Sequence, residues 1–266
     1  MSAARLSPGR LGLRLFGCLV GLWLIAPTLV VVPMSLTDEK SFRFPPTGWS
    51  THWYSEFFSD PLWGEALVHS LVIATVVAVI ATILGTAAAF AIVRGRFPGK
   101  AVANTLLISP MVVPVVIIAI GMYIVELEWH LVGTYLGFFL AHTVIALPFV
   151  LITVSASLRT FDRRLEHAAA TLGSGPLSTF FRVTLPGIRS GVFAGALFAF
   201  IVSFDEVVIS TFLVSTNLRT LPVQMFSSLT QEQNPTVAVA STLMFVVTTV
   251  LLVVIAIVMR GRDRAR

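Results

Sequence analysis

Asp205 and Glu206 are adjacent carboxylates inside an otherwise apolar run over residues 190–214. Each acid costs about 2.5 to 3.5 kcal/mol at the centre of a membrane helix, so a carboxylate there needs a partner or a function. In one interpretation, one or both acids line a path for a cation, and Phe204 adds an aromatic surface. In the other, the helix breaks near Asp205, and the acids cap a short helix or pair with a basic residue of another subunit. The pair is therefore a candidate site with both interpretations open.

Motifs for several kinds of catalysis are missing from the sequence. The only Gly-Lys pair, Gly99-Lys100, is followed by Ala101 and has Arg94 where the first glycine of a phosphate-binding loop belongs. The five histidines are scattered, and the single cysteine, Cys18, offers no second thiol for a zinc site. A G-x-S-x-G nucleophile elbow is also absent. We therefore expect no catalytic residues, no metal site and no ATP hydrolysis on this chain.

The composition of the 266 residues is that of an integral membrane protein. Hydrophobic residues make up 56% of the chain and charged residues only 12%, with a mean hydropathy of +0.90. Soluble proteins carry about a quarter of their residues as charged side chains. The sequence pI of about 10.1 is compatible with nucleic-acid binding, but the basic residues stand at the ends of apolar runs. We expect a membrane lipid environment and no nucleic-acid partner.

Six apolar runs are long enough to cross a bilayer, since about 20 helical residues cover its hydrocarbon core. Their backbones must be helical, because a barrel would need shorter segments of alternating polarity. Small residues at Ala81, Gly85 and Ala89 favour close helix contact, and Pro110 and Pro114 predict a kink in the third run. The predicted spans are 15–33, 71–93, 101–125, 131–158, 190–214 and 236–259.

The distribution of basic residues predicts the topology. Of the 18 Lys and Arg side chains, 15 fall on one face: in the N-terminus, the loop after span 2, the loop at 159–189 and the C-terminus. Because positive charge near short loops marks the cytoplasmic side, both termini are predicted to be cytoplasmic. The expected fold is an all-α integral membrane protein with six transmembrane helices, organised as one permeation domain over 1–266.

The longest cytoplasmic loop, residues 159–189, has the pattern of a docking element. Residues 166–172 favour a helix, 173–176 a turn and 177–183 a second short helix before Leu185-Pro186. An amphipathic segment at the lipid surface is the alternative. The loop reads H-A-A-A-T-L-G from His167 to Gly173 and, nine residues later, V-T-L-P over 183–186.

This string resembles the EAA loop of binding-protein-dependent ABC importer permeases, in which E-A-A-x-x-x-G is followed after nine residues by I-x-L-P. His167 stands at the Glu position, and Glu166 lies one place earlier. The resemblance implies that this loop couples the chain to an ATPase. The implied coupling residues are Glu166, His167, Ala168, Ala169, Gly173, Leu185 and Pro186.

Other segments, spread over roughly 42–260, resemble the second permease subunit of spermidine/putrescine-type importers. These segments are F-P-P-T-G-W at 44–49 with Trp53-Tyr54, A-H-T at 141–143, L-P-F-V at 147–150, S-F-D-E-V-V at 203–208 and T-L-P-V-Q-M at 220–225.

The resemblance implies a type I (MetI-like) importer fold in the bacterial inner membrane. Its expected partners are an ABC ATPase dimer that binds ATP and Mg²⁺, a second permease subunit that is a different chain, and an extracytoplasmic solute-binding protein. No cofactor is expected on this chain. The expected solute is a polyamine; a phosphonate, a ferric complex, an opine or an amino-acid derivative is the alternative within the class. A proton-coupled secondary transporter that uses Asp205 and Glu206 is the alternative outside it.

Overall fold

The computed structural model describes residues 8–231 and 234–263; Arg5, Arg264 and Arg266, which contribute to the predicted topology, lie outside these ranges. Within them every regular element is helical, apart from an isolated bridge between Thr37 and Trp49. The α-helices, in chain order, are α1 (Pro8–Met34), α2 (His52–Ser59), α3 (Pro61–Arg94), α4 (Lys100–Ile108), α5 (Val115–Glu128), α6 (Tyr135–Thr160), α7 (Arg164–Thr171), α8 (Pro176–Thr179), α9 (Leu185–Phe204), α10 (Val208–Leu213), α11 (Leu221–Gln231) and α12 (Thr236–Asp263).

The prediction of an all-helical membrane protein is confirmed, with a difference in how the spans are built. Four helical stretches are long and apolar enough to cross a membrane without a sharp bend: Pro61–Arg94, Tyr135–Thr160, Pro176–Phe204 and Thr236–Ile257. Two more spans arise only if each of two bent pairs counts as one: Leu15–Trp23 with Thr28–Met34, and Lys100–Met111 with Val115–Glu128. The described ranges thus contain four to six spans, and the cytoplasmic location of both termini stays a prediction.

The third predicted span shows the largest departure from its expected shape. In place of a kinked helix over 101–125, α4 and α5 meet at an angle of 102° across a 3₁₀ turn at Ser109–Met111. Pro110 lies in that turn, and Pro114 is the N-cap of α5, with an extended ψ of 128°. Proline lacks the backbone donor that a continuing helix needs and disfavours helical backbone at the preceding residue. Two prolines four positions apart therefore break this span.

The chain divides into two compact units, each with its own packing. The larger unit comprises Pro61–Ser227 and Val247–Arg266, and in it α3, α6 and α9 pack pairwise against one another. Val150 on α6 is fully buried at this junction. A Cβ on Gly85 of α3 would lie 2.7 Å from the Val150 Cβ, and a Cβ on Gly195 of α9 would lie 3.1 Å from its Cα.

Close helix contact by small residues is therefore confirmed at the predicted stripe on α3. Ala81 and Ala89 are fully buried, and Gly85 lies between them against α6. Apolar burial alone drives little helix association in lipid, so close packing of this kind supplies the contact area that holds a membrane bundle together.

The smaller unit comprises Met1–Asp60 and Ser228–Val246. Within it, Trp53 and Phe57 on α2 are buried, and the Tyr54 hydroxyl lies 2.9 Å from the Ser35 Oγ. The Asn234 side chain accepts a 2.9 Å hydrogen bond from the Thr236 backbone N–H at the start of α12 and donates a 3.2 Å hydrogen bond to Glu56. These bonds connect α2 with the first turn of α12.

Candidate functional site

The predicted coupling loop folds as two short helices around a tight turn. α7 ends in a Schellman motif, in which Gly173 N–H bonds the Ala170 carbonyl at 3.0 Å and Ser174 N–H bonds the Ala169 carbonyl at 3.0 Å. Gly173 has a φ of +85°, the left-handed conformation that this motif requires and that glycine adopts without strain. The glycine of the recognised pattern therefore ends the helix, while a Cβ at this position would meet no atom within 4 Å.

Glu166 is the anchor of this loop. Its carboxylate accepts a hydrogen bond from Arg94, at the end of α3, and another from the Thr184 hydroxyl, in a π-helical turn at Phe180–Thr184 that precedes α9. The Arg94 guanidinium also lies over the rings of Phe90 and Phe161, at 5.5 and 5.8 Å from their centroids. The Arg94 and Glu166 side chains are only 14% and 18% exposed, so the ion pair is shielded from water.

The surroundings of Glu166 favour its ionised form. Burial raises its pKa, but the hydrogen bonds from Thr184 and Arg94 and the positive charges of Arg94 and Arg163 together outweigh burial, so the pKa lies below the ordinary 4.5. A carboxylate with this environment is charged at neutral pH. The cluster of Arg94, Glu166 and Thr184, called the loop anchor below, therefore ties α7 to the ends of α3 and α9.

The opposite face of the loop is exposed and apolar. His167 and Ala168 are exposed and Ala169 is half-buried, while Leu172 is 88% exposed. Leu165, Leu177 and Phe181 are also exposed. Of the remaining predicted coupling residues, Leu185 is half-buried and Pro186 exposed in the first turn of α9. Because exposed apolar patches mark interaction sites, this face, called the docking face below, is a candidate contact for a partner.

The second candidate region lies where α9 ends and α10 begins. The helix stops at Phe204, and Glu206 caps the next helix: its Oε1 accepts the Ile209 N–H and its Oε2 accepts the Ser210 N–H, both at 2.8 Å. His142 on α6 lies 3.7 Å from Glu206 Oε2 through Nε2. The two ring nitrogens of His142 also contact the hydroxyls of Ser203 and Ser210, at 2.9 and 3.1 Å. Glu206 is therefore buried in a hydrogen-bonded network that holds the helix break.

Asp205, one residue earlier, is exposed, whereas Glu206 is buried. Asp205 lines an open cavity of about 440 Å³, to which Glu206 also contributes. The cavity is otherwise bounded by the break between α4 and α5, by α6 and by the end of α9, through Pro110, Met111, Val115, Ile145, Phe149, Ile201, Val202, Val207 and Val208. Among the residues that the structure describes, no basic side chain lines it. The break between α4 and α5 and the end of α9 thus meet at one cavity, and irregular backbone at membrane depth is tolerated only where protein or a water-filled cavity surrounds it.

Phe204 does not line this cavity. Its ring is buried and stacks on Phe200 at 5.5 Å. The structure thus brings Asp205 and Glu206 to the cavity and places the third predicted path residue in the protein interior.

Three residues that sequence reasoning missed take part in these regions. Arg94 looks like one more basic residue at a span end, and Thr184 looks like a spacer in V-T-L-P; their partnership with Glu166 is a long-range contact that spacing does not reveal. Glu126 lies one residue beyond the predicted apolar run at 101–125, yet α5 continues through it. Glu126 is therefore a further acid within a candidate span, in addition to Asp205 and Glu206.

Glu126 is 1% exposed, and neither of its carboxylate oxygens has a hydrogen-bond partner among the residues that the structure describes. Its Oε2 would lie 2.5 Å from a Cβ on Gly137, in the first turn of α6. Glycine at 137 therefore makes room for this carboxyl. The sequence does contain a signal for Glu126, because this acid directly follows a run without charged residues.

No cluster of three or more His, Cys, Asp or Glu side chains that could hold a metal ion occurs within residues 8–231 and 234–263.

Comparison with known proteins shows similarity to membrane components of transport systems. Residues 81–264 match the family model described as binding-protein-dependent transport system inner membrane component. The chain is 33% identical over 244 residues to the putrescine transport system permease protein PotI of Escherichia coli, covering 89% of this chain and 85% of that protein. It is 31% identical over 244 residues to the spermidine/putrescine transport system permease protein PotC of Haemophilus influenzae, covering 91% and 93%. It is 27% identical to the trehalose transport system permease protein SugB of Mycobacterium tuberculosis, covering 82% and 81%.

Solved structures agree on the fold. The chain superposes with a TM-score of 0.69 on a crystal structure of a bacterial ABC transporter involved in the import of alginate, an acidic polysaccharide, at 16% identity and 95% coverage of both chains. A second structure, of the alginate transporter with a pentasaccharide-bound periplasmic protein, gives the same TM-score at 13% identity. The family model covers more than half of the chain, and the relatives cover most of it. The chain therefore belongs to the family of inner membrane components of binding-protein-dependent transport systems.

Proposed function

We propose that this chain is a permease subunit of an ATP-driven importer for a small cationic amine of the putrescine and spermidine class. The observation that supports this solute is the exposed Asp205 carboxylate in a cavity that none of the described basic residues lines, where the break between α4 and α5 meets the end of α9. An ammonium group gains charge-assisted hydrogen bonds from a carboxylate. The relatives PotI and PotC are named as putrescine and spermidine/putrescine permeases, in agreement with this chemistry.

The docking face supports an ATPase partner. The chain has no phosphate-binding loop of its own, so a separate ABC ATPase dimer would bind ATP and Mg²⁺. Leu172, Leu177 and Phe181 would enter a groove of that partner, and the loop anchor would pass its movement to α3 and α9. Interconversion between inward-open and outward-open states then follows from the state that the ATPase binds more tightly.

The remaining partners in the proposal are a second, different permease chain and an extracytoplasmic solute-binding protein, in a bacterial inner membrane. A binding protein is part of the description of the matched family. The second permease would complete the cavity that Asp205 lines on one side, since an open cavity on one subunit does not enclose a solute.

The test is uptake of labelled putrescine and spermidine into vesicles that hold this chain with its partner proteins, with and without ATP. We expect ATP-dependent uptake that falls in Asp205→Asn and is unchanged in Glu128→Gln, an exposed carboxylate at the end of α5, outside the cavity. Uptake of trehalose and not of polyamines would contradict the proposal that the solute is a polyamine. Polyamine uptake that needs no ATPase and follows a proton gradient would contradict the importer and favour a secondary transporter.

The docking face has its own test. Leu172→Ser is expected to remove the ATPase from the purified complex, while Leu136→Ser, an exposed leucine in the first turn of α6, is expected to retain it. Both changes replace an exposed leucine by the same polar residue, so a difference in ATPase retention between them shows that the position of the leucine matters. Retention of the ATPase by the Leu172 variant would contradict this docking face.

A further inference from the structure

A second cavity, of about 560 Å³, lies between the ends of three helices in the larger unit. Ile92 and Val93 line it from the last turn of α3, and Arg159 lines it from the last turn of α6. Lys100, Ala101 and Asn104 complete it from the first turns of α4. These helix ends belong to the basic face of the predicted topology.

The polar groups in this cavity favour an anion. Lys100, Arg159 and Asn104 supply two cations and one amide, and none of the acids in the described ranges lines the wall. Lys100 uses Nζ to donate a 3.1 Å hydrogen bond to the Gly95 carbonyl, which leaves its other donors for a ligand. The Arg159 side chain has no hydrogen bond or ion pair with any residue in the described parts of the chain. The first turn of α4 adds the positive end of a helix dipole.

Arg94, at the same end of the bundle, is a cation with an acidic partner. It pairs with Glu166 and lies against two aromatic rings. Lys100 and Arg159 have no such acid, although they lie close by in the fold. Their positive charges therefore lie at the cavity without an acidic side chain beside them.

The surroundings of the cavity are apolar in the manner of a lipid-facing surface. Val102 and Leu106, on α4 beside Ala101 and Asn104, are 62% and 65% exposed, and Phe97 in the preceding loop is 40% exposed. Ile92, Val93 and Ala101 form the apolar part of the wall itself. A ligand that suits both surfaces has an anionic head and hydrocarbon tails.

We propose that this cavity, formed by α3, α4 and α6, binds the phosphate headgroup of an anionic phospholipid in the membrane leaflet on the basic side. Lys100 and Arg159 neutralise the phosphate, Asn104 donates a hydrogen bond to it, and the acyl chains lie along Val102 and Leu106. Basic cavities between membrane helices on the cytoplasmic side are suited to anionic headgroups. The site holds the α3–α4 connection at the membrane surface and does not depend on which solute the protein carries.

The test uses the full chain purified in detergent and supplied with either phosphatidylglycerol or phosphatidylcholine, with retained lipid counted by native mass spectrometry. Wild-type protein is expected to retain phosphatidylglycerol in preference. Because a basic residue near an anionic surface contributes about 1 kcal/mol, each cation removed is expected to weaken retention about fivefold. The double variant Lys100→Gln with Arg159→Gln is therefore expected to lose about 25-fold, and Arg96→Gln with Arg182→Gln, two exposed arginines outside the cavity, to change little.

A second variant keeps the test decisive if the double variant folds poorly. Asn104→Asp places an acid in the cavity without changing its size and is expected to abolish the preference for phosphatidylglycerol. Equal retention of both lipids by wild-type protein, or unchanged retention in both cavity variants, would overturn the proposal. Displacement of the lipid by inorganic phosphate alone would assign the site to free phosphate. Loss of the ATPase from the double variant with normal lipid retention would assign the two cations to that partner.

Discussion

Two pairs of adjacent polar residues show the same difference in burial: Glu166 with His167, and Asp205 with Glu206. In the loop pair, Glu166 is shielded and bonded to Arg94 and Thr184, whereas His167 is exposed on the docking face. In the pair at the helix break, Glu206 is buried and caps α10, whereas Asp205 is exposed to the cavity. One member of each pair holds the structure and its neighbour is exposed; in the proposed function the exposed members face the ATPase and the solute.

In the loop pair the division agrees with helix geometry, because neighbouring residues on a helix point about 100° apart. Asp205 and Glu206 lie between α9 and α10, and there the capping of α10 by Glu206 turns that side chain inward. A pattern match marks the position of a pair along the chain, but the packing of α3, α6 and α9 decides which member turns inward. The loop pair illustrates this, because its acid lies one place before the position of the family pattern and is the inward-facing member.

The largest expected effect tests the outward side of the loop. Gly173→Asp is expected to abolish ATP-dependent uptake while membrane insertion is retained, because it places a charge on a turn that faces the partner. Gly173→Asn is the matched control, since Asn also tolerates a φ near the +85° observed and has nearly the same size. Uptake is expected to survive in the Asn variant. Equal loss in both variants would show that backbone strain, and not the docked partner, sets the requirement for glycine.

The second expected effect tests the inward side of the loop. Glu166→Ala leaves the Arg94 guanidinium shielded without its acid, and loss of a buried ion-pair partner costs about 3 kcal/mol. We expect lower thermal stability of the purified chain, checked by following intact protein on heating. His167→Ala is expected to leave the stability of the chain alone unchanged. A double-mutant cycle with Arg94→Met is expected to recover part of the loss; strict additivity would show that the two residues do not interact.

The third expected effect separates the two acids at the helix break. Asp205→Asn is expected to raise the KM for putrescine about tenfold, because a charge-assisted hydrogen bond contributes about 1.5 kcal/mol, and to leave stability unchanged. Glu206→Ala removes a helix cap, worth about 1 kcal/mol, and is expected to lower stability. Uptake kinetics and thermal unfolding of both variants check this. The reverse pattern, with a stability loss at 205 and a KM change at 206, would contradict the assignment of Asp205 to the cavity and of Glu206 to the helix cap.

The smallest expected effect concerns pH. The folded pKa of Glu166 lies below its ordinary value of 4.5, so the stabilisation from the loop anchor is fully present above about 4.5 and is lost as the pH falls through the lowered folded pKa. Hydrogen-exchange protection of α7, corrected for intrinsic rates, is expected to be constant from pH 8 to pH 5. A decline already between pH 8 and pH 6 would contradict the assignment of this stabilisation to the ionised Glu166 carboxylate.

The sequence predicted the helical fold, most span positions and the loop, because apolar length and turn residues act locally. It could not predict the 102° break between α4 and α5, because prolines permit a kink or a break and only the surrounding packing selects one. It also missed Arg94, Thr184 and Glu126, because their roles depend on contacts between distant helices. The prediction that Phe204 lines the path rests only on its position next to Asp205. Its burial against Phe200 depends on which side of α9 packs against other helices, and the sequence does not reveal that side.

The most direct test of the claim that Asp205 faces the solute cavity is thiol labelling at 205 in the assembled transporter, compared with its buried neighbour at 204. Cys18 is first replaced by Ser, and Asp205→Cys and Phe204→Cys are then exposed to a cationic thiol reagent with and without putrescine. The account predicts rapid labelling at 205 that putrescine slows, and little labelling at 204, where the native side chain is buried. Equal labelling at both positions, or protection of 204 instead of 205, would contradict it.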